Sequence, residues 1–293
     1  IDHWDGQILV TFAIESALYG VKKPLLPSQQ LWYRRTFSIP RAWSGSRILL
    51  HFGAVDFEAE VWVNETLVGS HRGGYLPFTF DITGALKPGE NTLTVSVWDP
   101  TDAEQQERGK QLLKPYGIWY TAVSGIWQTV WLEPVPEVSI DSLKLAPDID
   151  RALLTVETRL SAPASDMMVI VTALEGRKVI ASAESPAAQK IDLPIPSPHL
   201  WNTDDPFLYT LKVSLVDDSH DVDEVESYFA MRKFSLVTDA HGHKRIALND
   251  RPLFMYGPLD QGYFPDGLYT PPTEEAMVYD IEYTKKLGCN FIR

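Results

Sequence analysis

A chain of 293 residues, 44% of them apolar, holds two domains and part of a third, and is too hydrophobic for a disordered class. Its 39 acidic residues against 26 basic ones give a formal charge of −13 with no basic run, which excludes nucleic acid and anionic membrane as expected partners. The single cysteine, Cys289, excludes an intrachain disulfide, and there is neither an eighteen-residue apolar run nor a signal peptide. The chain starts at Ile1 rather than Met, so a removed upstream segment is expected. With it goes a periplasmic or extracellular location, a cytoplasmic one being left open.

Residues 1–30 read as irregular, with Gln7–Phe12 as a short strand candidate. From Leu31 the β signal is steady. Tyr33, Arg35, Phe37 and Ile39 alternate with Arg34, Thr36 and Ser38 until Pro40 stops the run. Arg47–Phe52 is the next strand. Ala59–Val63 and Thr66–Gly69 flank Asn64-Glu65, a hairpin position at which Glu65 is unusual. Gly73-Gly74-Tyr75 is a permissive loop, and Leu93, Val95 and Val97 alternate. Ser124-Gly125 opens a strand in which Ile126, Gln128, Val130 and Leu132 share one face and Trp127, Thr129 and Trp131 the other. Pro134 and Pro136 are expected to end it. This spacing predicts a jelly-roll β-sandwich over residues 1–136. Trp32, Phe37, Phe52, Val63, Phe80, Val95, Val97 and Val130 are expected in its core.

Residues 137–238 predict an immunoglobulin-like β-sandwich without a cysteine pair. Val169–Thr172 reads as a buried strand and Phe207–Leu215 as a long alternating one. Ile191–Pro198 carries three prolines and cannot be a central strand. After Asp239, Lys244–Leu248 and Pro252–Tyr256 flank the turn Asn249-Asp250, and a Gly/Pro/Asp-rich loop runs to Pro272. Thr273 is a helix N-cap, Met277, Ile281, Thr284 and Leu287 form one stripe, and Gly288 suits the C′ position. Asn290–Arg293 begins a strand. Residues 239–293 therefore read as strand, loop, helix and strand, the start of a truncated (β/α)8 barrel. Residues 252–257 and 289–293 are its expected parallel strands. The segment is expected to dock on the immunoglobulin-like domain, on another copy of the chain as a homo-oligomer, or on both. Cys289 reads as a buried structural thiol. The seven histidines show no ligand spacing, and His241-Gly242-His243 reads as a turn, so no metal and no cofactor are expected.

Leu31-Trp32-Tyr33-Arg34-Arg35-Thr36-Phe37, Val61-Trp62-Val63-Asn64, Gly73-Gly74-Tyr75-Leu76-Pro77-Phe78, Ser124-Gly125-Ile126-Trp127, Pro206-Phe207-Leu208-Tyr209 and Leu287–Arg293 are each short signals. In their order and spacing the chain resembles the family 2 glycoside hydrolases, which include β-galactosidases, β-glucuronidases and β-mannosidases. The resemblance implies a galactose-binding-like jelly roll, an immunoglobulin-like sandwich and a TIM barrel, in that order. It implies the N-terminal part of a retaining exo-β-glycosidase, β-galactosidase-like, that cleaves O-glycosyl bonds through two glutamates about 5 Å apart. Both glutamates are implied to lie beyond Arg293, so no catalytic residue is assigned here. Glu58, Glu60, Glu65, Glu274, Glu275 and Glu282 read as solvated surface charge.

Substrate-binding candidates are Asp260, Gln261, Tyr263 and Asp266, with Tyr269, on the loop after the first barrel strand. Barrel sites form from such loops, carboxylates and amides bond sugar hydroxyls, and tyrosine stacks on sugar faces. An ordinary long loop has the same composition. Arg293 falls where the resemblance implies an arginine holding the nucleophile; the ordinary reading is a salt bridge elsewhere. Trp119 stands where several relatives carry an aspartate five residues before the Ser-Gly pair, a departure from the galactose and glucuronate patterns. Arg108–Gln111, Trp119 and Tyr120 are candidates for a different wall. The expected partner is a carbohydrate, a β-glycoside. The other class of function is a non-catalytic carbohydrate-binding or adhesion module, which has no use for a barrel start.

Overall fold

A computed structural model describes residues 3–187, 189–218 and 220–293. The chain forms two compact units, Ile1–Pro134 together with Pro258–Arg293, and Val135–Gly257.

The first unit carries β1 (Leu31–Ser38), β2 (Arg47–Phe52), β3 (Val55–Asp56), β4 (Glu58–Val63), β5 (Thr66–Arg72), β6 (Phe78–Asp81), β7 (Glu90–Trp98), β8 (Gln111–Leu112), β9 (Tyr120–Thr121), β10 (Gly125–Ile126) and β11 (Val130–Val135). One sheet runs β1-β7-β4-β5 and the other β11-β2-β6, while β10 pairs with β3 and β8 with β9. Tyr33, Val61, Val63, Val95 and Val97 of the first sheet share a core with Ile48, Leu50 and Phe52 of the second, which makes this a sandwich. Burying each such side chain contributes roughly 1.5–3 kcal/mol. Of the expected core, Phe52, Val63, Val95 and Val97 are buried, and Phe37, Phe80 and Val130 pack half-buried against it. Trp32 does not join them. It is 36% exposed, on the face of β1 opposite buried Tyr33. Gln7–Phe12 forms no strand, although Phe12 is buried. Of the Asn64-Glu65 pair only Asn64 is left-handed (φ 56), so Glu65 needs no strained backbone. The strand expected from Ser124 onward is two strands, β10 and β11, in different sheets. Pro134 lies within β11 rather than ending it, because β11 is an edge strand where a missing donor costs nothing.

The second unit carries β12 (Ile140–Asp148), β13 (Leu153–Leu160), β14 (Met168–Glu175), β15 (Lys178–Pro186), β16 (Ile191–Pro194), β17 (Tyr209–Asp217), β18 (His220–Phe229), β19 (Phe234–Thr238), β20 (Lys244–Leu248) and β21 (Arg251–Pro252). Its sheets are β12-β13-β16, β15-β14-β17-β18 and β19-β20-β21. β16, which ends at Pro194, is an edge strand, in keeping with the three prolines of Ile191–Pro198. Leu154, Val156 and Leu193 meet Val169, Val171, Leu211, Val213 and Leu215 in one core between two sheets. Asn249 and Asp250 are both left-handed (φ 50 and 64), the geometry of a tight two-residue hairpin between β20 and β21.

Helix α1 (Glu274–Lys286) forms as expected. The Thr273 side chain accepts from Ala276 N at 3.2 Å. At the other end Gly288 N donates to Lys285 O (2.9 Å) and Cys289 N to Thr284 O (3.3 Å), a Schellman closure that needs the left-handed Gly288. The surroundings differ from the expectation. Met277, Ile281 and Leu287 are 45%, 54% and 62% exposed, so the stripe is not a buried face. The expected strand 252–257 ends at Pro252, and residues 289–293 form none. A parallel pair is stable only with neighbours on both faces. Instead Asp260 N donates to Arg293 O (2.7 Å) and Arg293 N to Pro258 O (3.2 Å). Cys289 is half-buried rather than buried.

Candidate functional site

The site grows from Ser124-Gly125. Gly125 is left-handed (φ +80), and a Cβ there would collide with the Tyr33 hydroxyl, which itself accepts from Ile126 N at 3.1 Å. Ser124 is held on two sides. Its N–H donates to Glu15 Oε2 (3.0 Å) and its hydroxyl to Asp99 Oδ2 (2.6 Å). Gln111 Oε1 accepts from Val123 N, and Gln111 Nε2 donates to Asp56 Oδ2 (3.3 Å) and to the Tyr75 hydroxyl (3.2 Å). Burial pushes the Glu15 carboxyl up to about 7, against the pull of the donors around it. Burial also raises Asp56 and Asp99, and the charge of Asp99 raises Asp56 further. All three are closed to substrate: Asp56 is 3% exposed, Asp99 2% and Glu15 9%. Glu15 accepts from the backbone N–H groups of Leu25 and Ser124, Asp99 from that of Thr101, and Asp56 from the Gln111 side chain, so all three are engaged inside the fold. Gln111, expected in a wall, belongs to this buried network.

The loop before α1 seats on this strand. Ser16 Oγ (2.6 Å) and Ala17 N (3.1 Å) donate to Asp266 O, and the Thr270 hydroxyl is within reach of Trp127 O (2.6 Å) and Thr11 O (3.0 Å). Tyr263 donates its hydroxyl to Thr121 O (2.7 Å) and stacks on Tyr120 with ring centroids 4.1 Å apart. Tyr269 continues the layer, 4.6 Å from Tyr263 and 5.3 Å from Trp127. Tyr75 meets Tyr269 edge-on at 6.0 Å. Offset and edge contacts of this kind hold aromatic clusters together. The segment expected on the immunoglobulin-like domain or on another copy thus packs on the first sandwich. The reason is chemical: its small buried cluster pairs Leu268 with Ala13 and Val123, and Tyr263, Tyr269 and Trp127 cover it.

Of the residues singled out in the sequence, Tyr263 lies in the aromatic layer, and Trp119 is half-buried next to Tyr120. Asp266 contributes its carbonyl, not its carboxylate. Asp260 and Arg293 are brought side by side through their backbones. Both are exposed, as is Gln261, and Asp260 Oδ1 accepts from Gly262 N (2.8 Å). Glu15, Asp56 and Asp99 were missed, because nothing local in the sequence separates a buried carboxylate from a solvated one. Tyr75 and Trp127 had a faint signal in the Gly73-Gly74-Tyr75 and Gly125-Ile126-Trp127 stretches.

Residues 11–136 match the family described as glycosyl hydrolases family 2, sugar binding domain, and residues 138–232 the one described as glycosyl hydrolases family 2. The chain belongs to glycoside hydrolase family 2. A β-galactosidase of Bacteroides ovatus is 29% identical over 289 residues, which cover 92% of this chain and 32% of that protein. A β-galactosidase of Halalkalibacterium halodurans is 28% identical over 271 residues, covering 89% and 25%. This family 2 chain thus spans about a quarter to a third of the length of these relatives. Among solved structures, the FMN-binding β-glucuronidase of Facaelibacterium prausnitzii superposes with a TM-score of 0.76 at 24% identity, over 90% of this chain and 41% of that one. The Ruminococcus gnavus β-glucuronidase in complex with D-glucaro-d-lactam gives 0.78 at 22% identity, over 97% and 49%. At that identity the likeness is one of fold.

Proposed function

We propose that this chain is the N-terminal part of a retaining exo-β-glycosidase, β-galactosidase-like, and that it supplies one wall of the sugar site but not the catalytic carboxylates. The observation that carries the reading is the seating of the 258–272 loop on the Ser124 strand. In a barrel enzyme the loops after the strands build the active site. Here such a loop is fixed by Asp266 O, Thr270 and Tyr263 to the first sandwich, so the sandwich stands beside it. The stacked Tyr120–Tyr263 pair and Trp119 supply aromatic surface, and exposed Asp260, Gln261 and Arg293 supply hydrogen-bonding groups. Glu15, Asp56 and Asp99 are buried and engaged by Ser124, Gln111 and Thr101, which leaves none of these three free for acid–base or nucleophilic work.

The test is a panel of nitrophenyl β-glycosides given to the parent protein and to the 293-residue chain. The parent is expected to hydrolyse one of them and the chain none. In the parent, Asp260→Asn is expected to lower kcat/KM about tenfold or more, the loss of one hydrogen bond to a charged group. A parent that binds sugars without turnover overturns this reading in favour of a carbohydrate-binding module. Turnover by the chain alone overturns the absence of catalytic carboxylates.

A further inference from the structure

The outer face of the β1-β7-β4-β5 sheet lies on the opposite side of that sheet from the core. The register places its side chains in rows. Trp32, Ser96, Glu60 and Ser70 follow one another across the four strands, and Arg34, Thr94 and Trp62 make the next row. On the other side Trp98, Glu58 and Arg72 form a third. The Trp32 and Trp62 indoles stack with centroids 5.7 Å apart and planes 24° from parallel. They come from strands separated by β7, whose Thr94 and Ser96 are small enough to leave room for them. Arg34 lies on the same face, its Cζ 4.7 Å from the Trp4 ring.

Beside the indoles is a groove of about 560 Å³, lined by Gln30, Glu58, Glu60, Ser70, Arg72 and Ser96 among others. Its volume falls within the range of small-ligand sites. Its floor is ordered, since Gln30 Nε2 donates to Ser96 Oγ at 2.7 Å. Glu58 and Arg72 neutralise each other at 3.2 Å. Glu60 is exposed, and no ion pair to it is found among the described residues. The groove therefore carries hydroxyl, amide and carboxylate groups and a slight acidic excess, with Trp98 in its lining and Trp32 in register beside Ser96 at its edge.

We propose that this face is a second carbohydrate surface, one that holds a neutral glycan chain away from the Ser124 wall. A pyranose presents an apolar C–H face that packs on an indole and a rim of hydroxyls that bond carboxylate and amide side chains. The acidic excess disfavours uronates and phosphates, which a basic groove would attract. The site does not depend on the proposed hydrolytic reading, because it uses none of the residues of that wall.

Affinity electrophoresis of the full chain tests it, in native gels containing galactomannan, mixed-linkage β-glucan, arabinoxylan or polygalacturonate. At least one neutral polysaccharide is expected to retard the chain, and polygalacturonate is not. Trp32→Ala is expected to abolish the retardation. Glu60→Gln, which keeps side-chain shape and guards against misfolding in the tryptophan variant, is expected to weaken binding about tenfold. Retardation by none of the neutral polymers overturns the proposal. So does retardation that survives both substitutions, or that polygalacturonate reproduces. Hydrolysis of nitrophenyl glycosides by the parent is read separately, so the two proposals fail independently.

Discussion

At the residue scale, Gly125 and Glu15 carry the sharpest consequences. Gly125→Ala adds a methyl group where Tyr33 already stands and forces a left-handed residue. Left-handed backbone costs about 1–2 kcal/mol and overpacking about 1–3 kcal/mol, so a loss of about 2–5 kcal/mol is expected from urea unfolding monitored by tryptophan emission. Glu15 titrates near 7 in the fold and near 4.5 when free, with burial as the main cause. Its folded pKa is raised, so its stabilising contribution is complete below about pH 4.5 and is lost as pH rises through 7. The shifts of Asp56 and Asp99 have the same sign. Hydrogen exchange of β10 and its neighbours is therefore expected to slow at pH 5.5 relative to pH 8.5, after correction for intrinsic rates. Glu15→Gln, which resembles the protonated acid, should flatten part of that difference. An unchanged profile in the variant would remove Glu15 from the account. None of the three acids was singled out in the sequence, because contacts far along the chain bury them: Ser124 lies 109 residues from Glu15. Trp32 failed differently. Alternation says which residues share a face, but β1 carries a large aromatic on each face, Trp32 and Tyr33, and the period cannot say which one looks inward.

At the scale of elements, local rules held wherever the backbone alone decides. The Thr273 cap, the Gly288 closure and the Asn249-Asp250 turn were all readable because each depends on a few adjacent residues. What those elements pack against was not readable in the same way. Helix α1 has no buried residue among the described ones, so its stripe of Met277, Ile281 and Leu287 marks a capacity for packing that this chain does not fill. The edge character of β16 was legible from the three prolines of Ile191–Pro198, and the break of the Ser124 strand into two was not. Thr273→Ala is expected to cost about 0.5–2 kcal/mol of helix stability. An unpacked helix contributes little to the rest of the fold. Amide exchange across residues 276–286 should therefore accelerate several-fold, while the urea midpoint of the sandwiches stays in place. A shift in that midpoint would show that α1 is tied to a core after all.

At the scale of the whole molecule, the order of the two sandwiches was legible because their strand spacing and proline positions are properties of sequence. The return of the last segment to the first sandwich was not, since it rests on contacts such as Thr270 to Thr11, separated by 259 residues. That return makes the first unit discontinuous: its two pieces are interrupted by Val135–Gly257. During synthesis at roughly 5–20 residues per second, the ribosome makes the first piece on the order of ten seconds before the piece that seats against it. In that interval Trp127, Val123 and the Ser16 loop have no lid, while the intervening sandwich already has every strand it needs. Stalled nascent chains ending near residue 250 are expected to be cut by protease around residues 11–20 and 116–127. Chains carried far enough past Arg293 for the last segment to leave the ribosome should resist. Equal resistance at both lengths would mean that the first sandwich matures without its late-arriving piece.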